Sequence, residues 1–308
     1  MEGFKVATIN IRGLRDKKKR LILINWLKRK DFHIVCLQET YITEEILPDF
    51  ERDFCDLGKI HFSLSDSSHA RGVGILISHK LSNWKVINVN KDENGRMILL
   101  NIKNINNEVY SFGSFYAPNN LQQRIQFITE CNKFLLDHAV NRNKMVVAGD
   151  FNTCYNKSDR ASGNIDKSGQ TFSEFMGASN LIDTYRYVNP KLKGYTYIHS
   201  SDQMRNSRID YILISAALAD AALHSSILPC PAPDHKALTI NLVFNKNKRG
   251  KGYWKLNNAL LKEQDYVNMI KLEIARTINT YSNYVSKQDL LELIKVIVKE
   301  NSIAYAIC

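Results

Sequence analysis

Residues 145–152 read MVVAGDFN, a short apolar run that leads directly into Asp150 and Asn152. Apolar and β-branched residues at 145–148 are typical of a buried strand, and the Gly-Asp-Phe-Asn that follows is a common kind of turn. Packing does not require a carboxylate and an amide at the end of a strand. In layered α/β folds, however, functional sites assemble from polar groups at strand ends and in adjoining loops. The segment therefore predicts a buried strand that leads into such a site, provided that other strands end in the same way.

Similar apolar runs recur through the first four-fifths of the chain and predict a fold with many strands. Residues 18–30 and 122–137 have helical periodicity instead. Strands with interspersed helices and no regular βαβ repeat favour a layered α/β sandwich. The predicted strands are residues 4–11, 33–37, 72–78, 97–102, 109–115, 145–148, 209–214 and 237–242.

Polar residues follow several of these predicted strands in the same way. Each of them has a simpler interpretation when it is taken alone, because a strand-end Asn is usually a turn former and a lone Glu is usually solvated. Their joint occurrence is the informative feature. The residues concerned are Asn10, Glu39, Tyr116, Asn119, Asp150, Asn152, Asp210, Asp234 and His235.

Together these side chains supply the metal ligands that phosphodiester hydrolysis needs. Mg²⁺ prefers oxygen ligands, and proteins usually hold it through one or two carboxylates plus the substrate phosphate. We predict Glu39 as the main metal ligand, with Asn10 and Asp234 as supporting ligands or anchors for bound water.

The same set also supplies acid–base groups. Asp150 can take the proton of a water nucleophile while the Asn152 amide fixes that water or the phosphate. His235 can donate to a phosphate oxygen, and Asp210 is the carboxylate that would orient it. Tyr116 is predicted to stabilise the leaving oxygen or to bind phosphate.

In order and spacing this series resembles the endonuclease/exonuclease/phosphatase superfamily over residues 4–243. The motifs are most similar to exonuclease III-type apurinic endonucleases and to the endonuclease domains of LINE-type retrotransposon polyproteins. The resemblance implies a four-layered α/β sandwich of two packed mixed sheets flanked by helices. It implies Mg²⁺ as the cofactor, for which Mn²⁺ can substitute. It also implies that Asn119 of the YAPN motif, Arg160 and Thr196 contact the substrate.

Further motifs resemble the retrotransposon branch of this superfamily: LIDTYR at 181–186, GYTY at 194–197 and GYWKLNN at 252–258. That branch implies an enzyme that nicks double-stranded DNA and leaves a 3′-hydroxyl for target-primed reverse transcription. In LINE-type proteins a reverse transcriptase follows the nuclease. No polymerase motif follows here, so the resemblance predicts a truncated copy or a fragment.

The composition changes near residue 244, which divides a predicted nuclease domain, 1–244, from a tail, 245–308. The tail begins with the polar, basic segment NKNKRGKGYWK, which predicts a linker. Two amphipathic helices are expected beyond it. Their apolar positions are Val267, Ile270, Ile274 and Ile278 in the first helix, and Leu290, Leu293, Ile294 and Ile297 in the second.

Bulk properties narrow the class of partner. The formal net charge of +11 favours a polyanion such as DNA, although many basic proteins bind no nucleic acid. The run KKKR at 17–20, with Arg12 and Arg15 before it, is either a phosphate-binding patch or a solvated helix start. No apolar run could cross a bilayer, and MEGFKVATIN is not a secretory signal. We therefore expect a monomeric intracellular protein, located in the nucleus, with no membrane partner and no small-molecule cofactor beyond the metal.

Alternatives remain at this stage. The first is an apurinic-site repair endonuclease or 3′ exonuclease, and the second is an enzyme of this fold that acts on inositol phosphates or phospholipids. A third is an inactive DNA-binding remnant of a retrotransposon. One departure from the superfamily pattern bears on activity: Pro233 stands where Ser commonly precedes the Asp-His pair. A rigid proline there could misplace Asp234 and His235 enough to slow catalysis.

Overall fold

The computed structural model describes residues 3–64, 70–244 and 256–305. The chain divides into two compact units, residues 1–245 and 246–308. The predicted linker at 245–255 lies outside the described residues, and so does most of the GYWKLNN motif.

The described part of the first unit contains twelve strands. Their alternating or continuous apolar patterns place side chains on two buried faces. The strands are β1 (Phe4–Asn10), β2 (Ile34–Gln38), β3 (Gly58–Ser63), β4 (Val73–Ser78), β5 (Lys85–Lys91), β6 (Met97–Lys103), β7 (Val109–Tyr116), β8 (Met145–Asp150), β9 (Leu181–Asp183), β10 (Asp210–Ser215), β11 (Ala222–Leu228) and β12 (Ala237–Leu242).

These strands form two six-stranded mixed sheets, ordered β11-β12-β1-β2-β4-β3 and β5-β6-β7-β8-β10-β9. Each sheet has one parallel pair at its centre, β1 with β2 and β7 with β8, and its other pairs are antiparallel. Strands of a parallel pair end at the same edge of the sheet. Asn10 is accordingly in register with Gln38, and Tyr116 with Asp150.

Helices cover the outer faces of the sheets: α1 (Lys17–Lys30), α2 (Leu47–Phe54), α3 (Leu121–His138) and α4 (Lys167–Ala178). The short α5 (Thr184–Val188) instead packs its Tyr185 and Val188 against apolar residues of both sheets. Helix α1 begins where the Asp16 carboxylate accepts a hydrogen bond from the Lys18 amide at 2.7 Å. It ends at Asp31 in the left-handed conformation, after three basic residues that complement the negative end of the helix dipole.

Three apolar clusters define the layers. One lies between the sheets and includes Val6, Ile98 and Phe112. The others join each sheet to its helices, the second around Phe127 and Phe172 and the third around Leu23, Leu27 and Phe50. The order helix, sheet, sheet, helix confirms the predicted four-layered α/β sandwich.

The edge strands β3, β5, β9 and β11 and the helices α2, α4 and α5 were not predicted from the sequence. An edge strand such as β5 (KVINVNK) has one exposed side, so its pattern is more polar than that of a central strand. Helix α4 carries two glycines, which lower helix propensity.

The second unit contains the two helices expected in the tail, α6 (Gln264–Tyr281) and α7 (Lys287–Tyr305). Tyr266 joins them, because its hydroxyl hydrogen-bonds Ser302 at 2.7 Å and its ring meets that of Tyr305 at 5.3 Å. Within the described ranges, no helix has the length and apolarity needed to span a membrane.

Gly149 is expected to be required for the close approach of β8 to β7. Its φ is +154°, and a Cβ at this position would lie 1.9 Å from the backbone oxygen of Phe115. Gly149→Ala should therefore destabilise the fold by about 2 kcal/mol or more, measured by urea denaturation.

Gly177→Ala is the matched control. A Cβ there meets nothing within 4 Å, and the residue lies inside α4. This change should stabilise the protein by about 0.5–1 kcal/mol, the usual difference between Ala and Gly in a helix. Equal stability of the Gly149→Ala variant and the wild type would contradict the assigned strand contact.

Candidate active site

The Asn10 side chain lies at the centre of the site. Its Nδ2 donates to Glu39 Oε1 and to Asp150 Oδ2, both at 2.8 Å, and its Oδ1 accepts from the backbone N–H of Arg12 at 3.1 Å. Asn10 ends β1 in the first sheet, whereas Asp150 ends β8 in the second. One buried amide therefore connects two carboxylates across the two sheets.

Glu39 follows β2 in an unusual backbone conformation, with φ at +51°. Left-handed backbone is unfavourable for this residue type and persists only where surrounding contacts impose it. Those contacts are present: the Gly13 amide donates to the Glu39 carbonyl at 2.6 Å, and the Tyr41 hydroxyl donates to Glu39 Oε2. The Glu39 carboxylate is thus held on both oxygens while it lines an open cleft.

A histidine between two carboxylates forms the second part of the site. His235 Nδ1 lies 2.9 Å from Asp210 Oδ2, and His235 Nε2 lies 4.0 Å from Asp150 Oδ2. All three side chains are buried. Pro233 does not prevent this arrangement, since His235 reaches Asp210 with the proline in place.

This arrangement shifts the pKa values of both acid–base groups. Burial, and then the negative charge of Asp210, raise the pKa of Asp150 to about 7, although His235 opposes the shift. Burial lowers the pKa of His235, but the charge and hydrogen bond of Asp210 outweigh it and raise that pKa to about 10. Near neutral pH the histidine therefore carries a proton that it can donate, while Asp150 is poised to accept one.

Two further predicted residues complete the inner wall. The Asn152 amide N–H donates to Asp150 Oδ1 and its side-chain Nδ2 donates to the Ala117 carbonyl, both at 2.8 Å. Burial, with the charges of Glu39 and Asp150, raises the pKa of Tyr116 far above its usual value. The Tyr116 hydroxyl therefore keeps its proton and acts as a hydrogen-bond donor.

These groups open onto a cleft with a volume of about 860 Å³. Arg12, Arg205 and Asp202, which were not among the predicted site residues, also line this cleft. Of the predicted site residues, the cleft is lined by Glu39, Tyr116, Asn119, Asp150, Asn152, Arg160, Asp234 and His235.

The sequence model of the Endonuclease/Exonuclease/phosphatase family matches residues 7–232. The chain belongs to this family. The "Transposon TX1 uncharacterized 149 kDa protein" of Xenopus laevis is 24% identical over 274 residues, which cover 87% of this chain. The chain spans only 20% of that protein's length. The "DNA repair nuclease APEX1" of Danio rerio is 24% identical over 262 residues, 78% of this chain and 82% of the relative.

Among solved structures, the AP endonuclease LMAP from Leishmania major superposes with a TM-score of 0.68 and 16% identity. The match covers 78% of this chain and 88% of that one. It shows the shared fold. The predicted membership of the endonuclease/exonuclease/phosphatase family is confirmed, and so is the prediction of a hydrolytic nuclease.

Thr196 is buried and does not line the cleft. Its Oγ1 accepts hydrogen bonds from the backbone N–H groups of Ile209 and Asp210 at 3.1 and 3.2 Å. The geometry gives Thr196 a part in fixing the backbone at Asp210, and its substrate contact stays a prediction. Arg160 does line the cleft, and its backbone pairs with Ser207.

A buried ion-pair cluster behind the cleft was not predicted. Arg208 Nη2 donates to Asp159 Oδ2 at 2.6 Å and to Asp183 Oδ2 at 2.5 Å, and all three side chains are almost fully buried. Asp159 directly precedes Arg160, and Arg208 lies two residues before Asp210. The cluster therefore fixes two segments that carry site residues. The available signal was an arginine at the start of the apolar run RIDYILIS, where a strand has no need of one.

The oxygen-rich side of the site fits a hard divalent cation. Glu39 and Asp234 are carboxylates that line the cleft, and Asp234 Oδ1 is buried with no hydrogen-bond partner among the described residues. A second group that could hold a metal is Asp150, Asp210 and His235, whose ligand atoms lie within 4.8 Å of one another. We favour the first group, because both of its protein ligands are carboxylate oxygens, which a hard cation prefers to an imidazole nitrogen.

Asp210→Asn tests the coupling of His235 to its carboxylate. Folded His235 keeps its proton up to about pH 10 whereas the unfolded chain loses it near 6.5, so the resulting stabilisation is full below pH 6.5 and disappears towards pH 10. Urea denaturation should show a stability difference between wild type and variant that shrinks across this range.

The control for this experiment is Asp220→Asn, which removes an exposed carboxylate from the same part of the chain. Its difference from the wild type should not change with pH between 7.5 and 10. A constant difference for Asp210→Asn as well would argue against a charged His235–Asp210 pair.

Proposed function

We propose that this chain is a Mg²⁺-dependent DNA endonuclease that nicks double-stranded DNA and leaves a 3′-hydroxyl of the kind that primes reverse transcription. One observation carries the proposal: a single amide, Asn10, holds a metal-type carboxylate and a base-type carboxylate side by side. In the His235–Asp210 pair, His235 Nε2 lies 4.0 Å from the same Asp150 oxygen, Oδ2, that Asn10 contacts. A phosphodiester hydrolase needs these three functions within the span of one phosphate group.

Three arginines in the cleft support DNA as the substrate. Arg12, Arg160 and Arg205 line it, on a chain with a net charge of +11. Arginine side chains recognise phosphate oxygens with paired hydrogen bonds, and such backbone contacts supply most of the affinity for nucleic acid. The name of the APEX1 relative, a DNA repair nuclease, agrees with this choice.

Each catalytic group has a defined role in this proposal. Asp150 accepts the proton of the attacking water. The backbone N–H of Asn152 holds that carboxylate by donating a hydrogen bond to its Oδ1. His235, oriented by Asp210, donates from Nε2 to a phosphate oxygen as negative charge develops. The Tyr116 hydroxyl donates to the leaving oxygen or to the phosphate. Mg²⁺ held by Glu39 and Asp234 beside Asn10 would supply charge neutralisation at the phosphate.

The tail favours the retrotransposon reading over DNA repair. The likeness to the TX1 transposon protein covers 87% of the chain. This is a longer stretch than the nuclease unit, residues 1–245, so the likeness extends into the tail. The likeness to APEX1 covers 78%. The chain and the transposon protein thus share sequence beyond the nuclease. Action as a monomer on chromosomal DNA in the nucleus belongs to the same proposal.

Repair is the second candidate, because the APEX1 likeness spans 82% of that nuclease. The two functions differ in substrate. A retrotransposon endonuclease should nick an intact duplex at least as well as an abasic one, and DNA polymerase should extend its product without prior phosphatase treatment. Strong preference for the abasic duplex would replace the proposal with the repair function.

Glu39→Ala should abolish nicking. With supercoiled plasmid and Mg²⁺, wild type should convert the substrate to open circle, and the variant should be slower by about 100-fold or more because a metal ligand is lost. Glu174→Ala, which removes an exposed glutamate from α4, should nick like the wild type. A Glu39→Ala protein that is folded and fully active would exclude Glu39 as the ligand.

The pH dependence of nicking should report Asp150. This base works only when ionised, so the single-turnover rate should rise with pH through the pKa of about 7 and fall again as His235 deprotonates towards 10. A cation at Glu39 would lower the Asp150 pKa from this raised value, so the rising part of the pH–rate profile should lie at or below pH 7. A rate that increases steadily from pH 7 to 10 would contradict the assignment of Asp150 as the base.

A further inference from the structure

The backbone at Arg12 is fixed from several sides. Its φ is +51°, its amide donates to Asn10 Oδ1 at 3.1 Å, and the Lys19 ammonium donates to the carbonyls of Ile11 and Arg12 at 2.7 and 2.9 Å. The Gly13 amide continues this turn by donating to the Glu39 carbonyl. The turn that carries Arg12 is therefore built onto the metal side of the site.

The Arg12 side chain, in contrast, is held at one point. It is 58% exposed and lines the cleft, and its guanidinium has a single hydrogen-bond partner among the described residues, Asp234 Oδ2 at 2.5 Å. An ion pair with one partner so exposed contributes little to the stability of the fold. The Arg12 guanidinium can therefore exchange Asp234 for another anion with little loss of folding free energy.

Asp234 is better suited to a cation inside the cleft than to this arginine. Its side chain is only 20% exposed, and its second oxygen, Oδ1, is buried without a hydrogen-bond partner in the described part of the chain. A buried carboxylate oxygen calls for a donor or a cation. Arg12 satisfies Oδ2 alone, and the family metal site proposed above uses the same carboxylate.

We propose that Arg12 is a substrate-binding residue that exchanges partners: it pairs with Asp234 in the metal-free chain and with a DNA phosphate once a divalent cation binds Asp234. This inference rests on the proposed function. A cation at Asp234 would compete with Arg12 for that carboxylate and would repel the guanidinium, and the substrate phosphate is the anion that would enter the same cleft. A planar guanidinium suits that phosphate because it donates two parallel hydrogen bonds.

The exchange predicts effects of opposite sign on the two ligands. Without Arg12, Asp234 loses a competitor, so Arg12→Ala should bind Mn²⁺ about twofold to fivefold more tightly, as expected for loss of an exposed ion pair. The same variant should have a KM for plasmid about tenfold higher, since a charge-assisted hydrogen bond to phosphate is lost. The slope of log KM against log salt should fall by about one.

The experiment measures Mn²⁺ binding by calorimetry on the DNA-free full chain and, separately, nicking kinetics at several salt concentrations. The matched control is Arg52→Ala, which breaks an exposed Arg–Asp pair with Asp49 on α2, a helix whose residues do not line the cleft. It should change neither Mn²⁺ affinity nor KM. In an Asp234→Asn background, Arg12→Ala should no longer raise Mn²⁺ affinity, because the shared carboxylate is gone.

The outcomes separate this inference from the nuclease assignment. Tighter Mn²⁺ binding together with a raised KM in Arg12→Ala supports the exchange. If wild type binds Mn²⁺ and nicks DNA but Arg12→Ala binds Mn²⁺ equally or more weakly, Arg12 is a structural partner of Asp234 and the exchange is wrong. A wild type that neither binds Mn²⁺ nor nicks DNA would overturn the proposed function, and the exchange with it.

Discussion

The two protons of the Asn10 amide fix the distance between the two carboxylates on which the site depends. An amide Nδ2 has two hydrogens, and here each is donated to a different carboxylate, one beside each sheet. A relative shift of the sheets would leave a buried donor or acceptor unpaired, which is costly in a dry interface. The sheet interface carries a second polar link of this kind, from Gln38 Nε2 to the Ser114 hydroxyl at 3.0 Å. The catalytic spacing is therefore a property of the sheet packing itself.

The pKa shifts in the site follow from the burial of two carboxylates beside a single histidine. Two carboxylates, Asp150 and Asp210, share one imidazole in an almost dry environment. Asp210 is the carboxylate that hydrogen-bonds His235. Burial of Asp150, together with repulsion from the Asp210 charge, raises the pKa of Asp150. Pairs of buried titratable groups whose pKa values are pushed apart in this way are how one site provides both an acid and a base near neutral pH.

Side-chain type and position along a strand were sufficient to predict the central part of the fold. The eight predicted strands and both early helices are present, because central strands in a buried sheet have a continuous apolar pattern. The chain order of the site residues was also readable from strand ends. The contacts of Thr196 and Arg208 could not be predicted. Nothing in the residue type distinguishes a threonine that faces substrate from one that accepts hydrogen bonds from two backbone N–H groups. Partner choice of this kind depends on side-chain direction, which only the packed structure fixes.

Backbone strain shows why the site needs the rest of the fold. Arg12, Glu39 and Asn152 each have φ at +51°, and each lies one or two residues beyond the end of a central strand, β1, β2 or β8. Only Asn among these types adopts that conformation readily, and a strained residue costs about 1–3 kcal/mol. In every case a hydrogen bond to a site group holds the strained turn: to Asn10 for Arg12, from Tyr41 to Glu39, and to Asp150 for Asn152. The turns redirect three neighbouring strand ends into one cleft. A sequence chosen for local propensity alone would have glycine at these positions and would lose the side chains that we propose as metal and phosphate contacts.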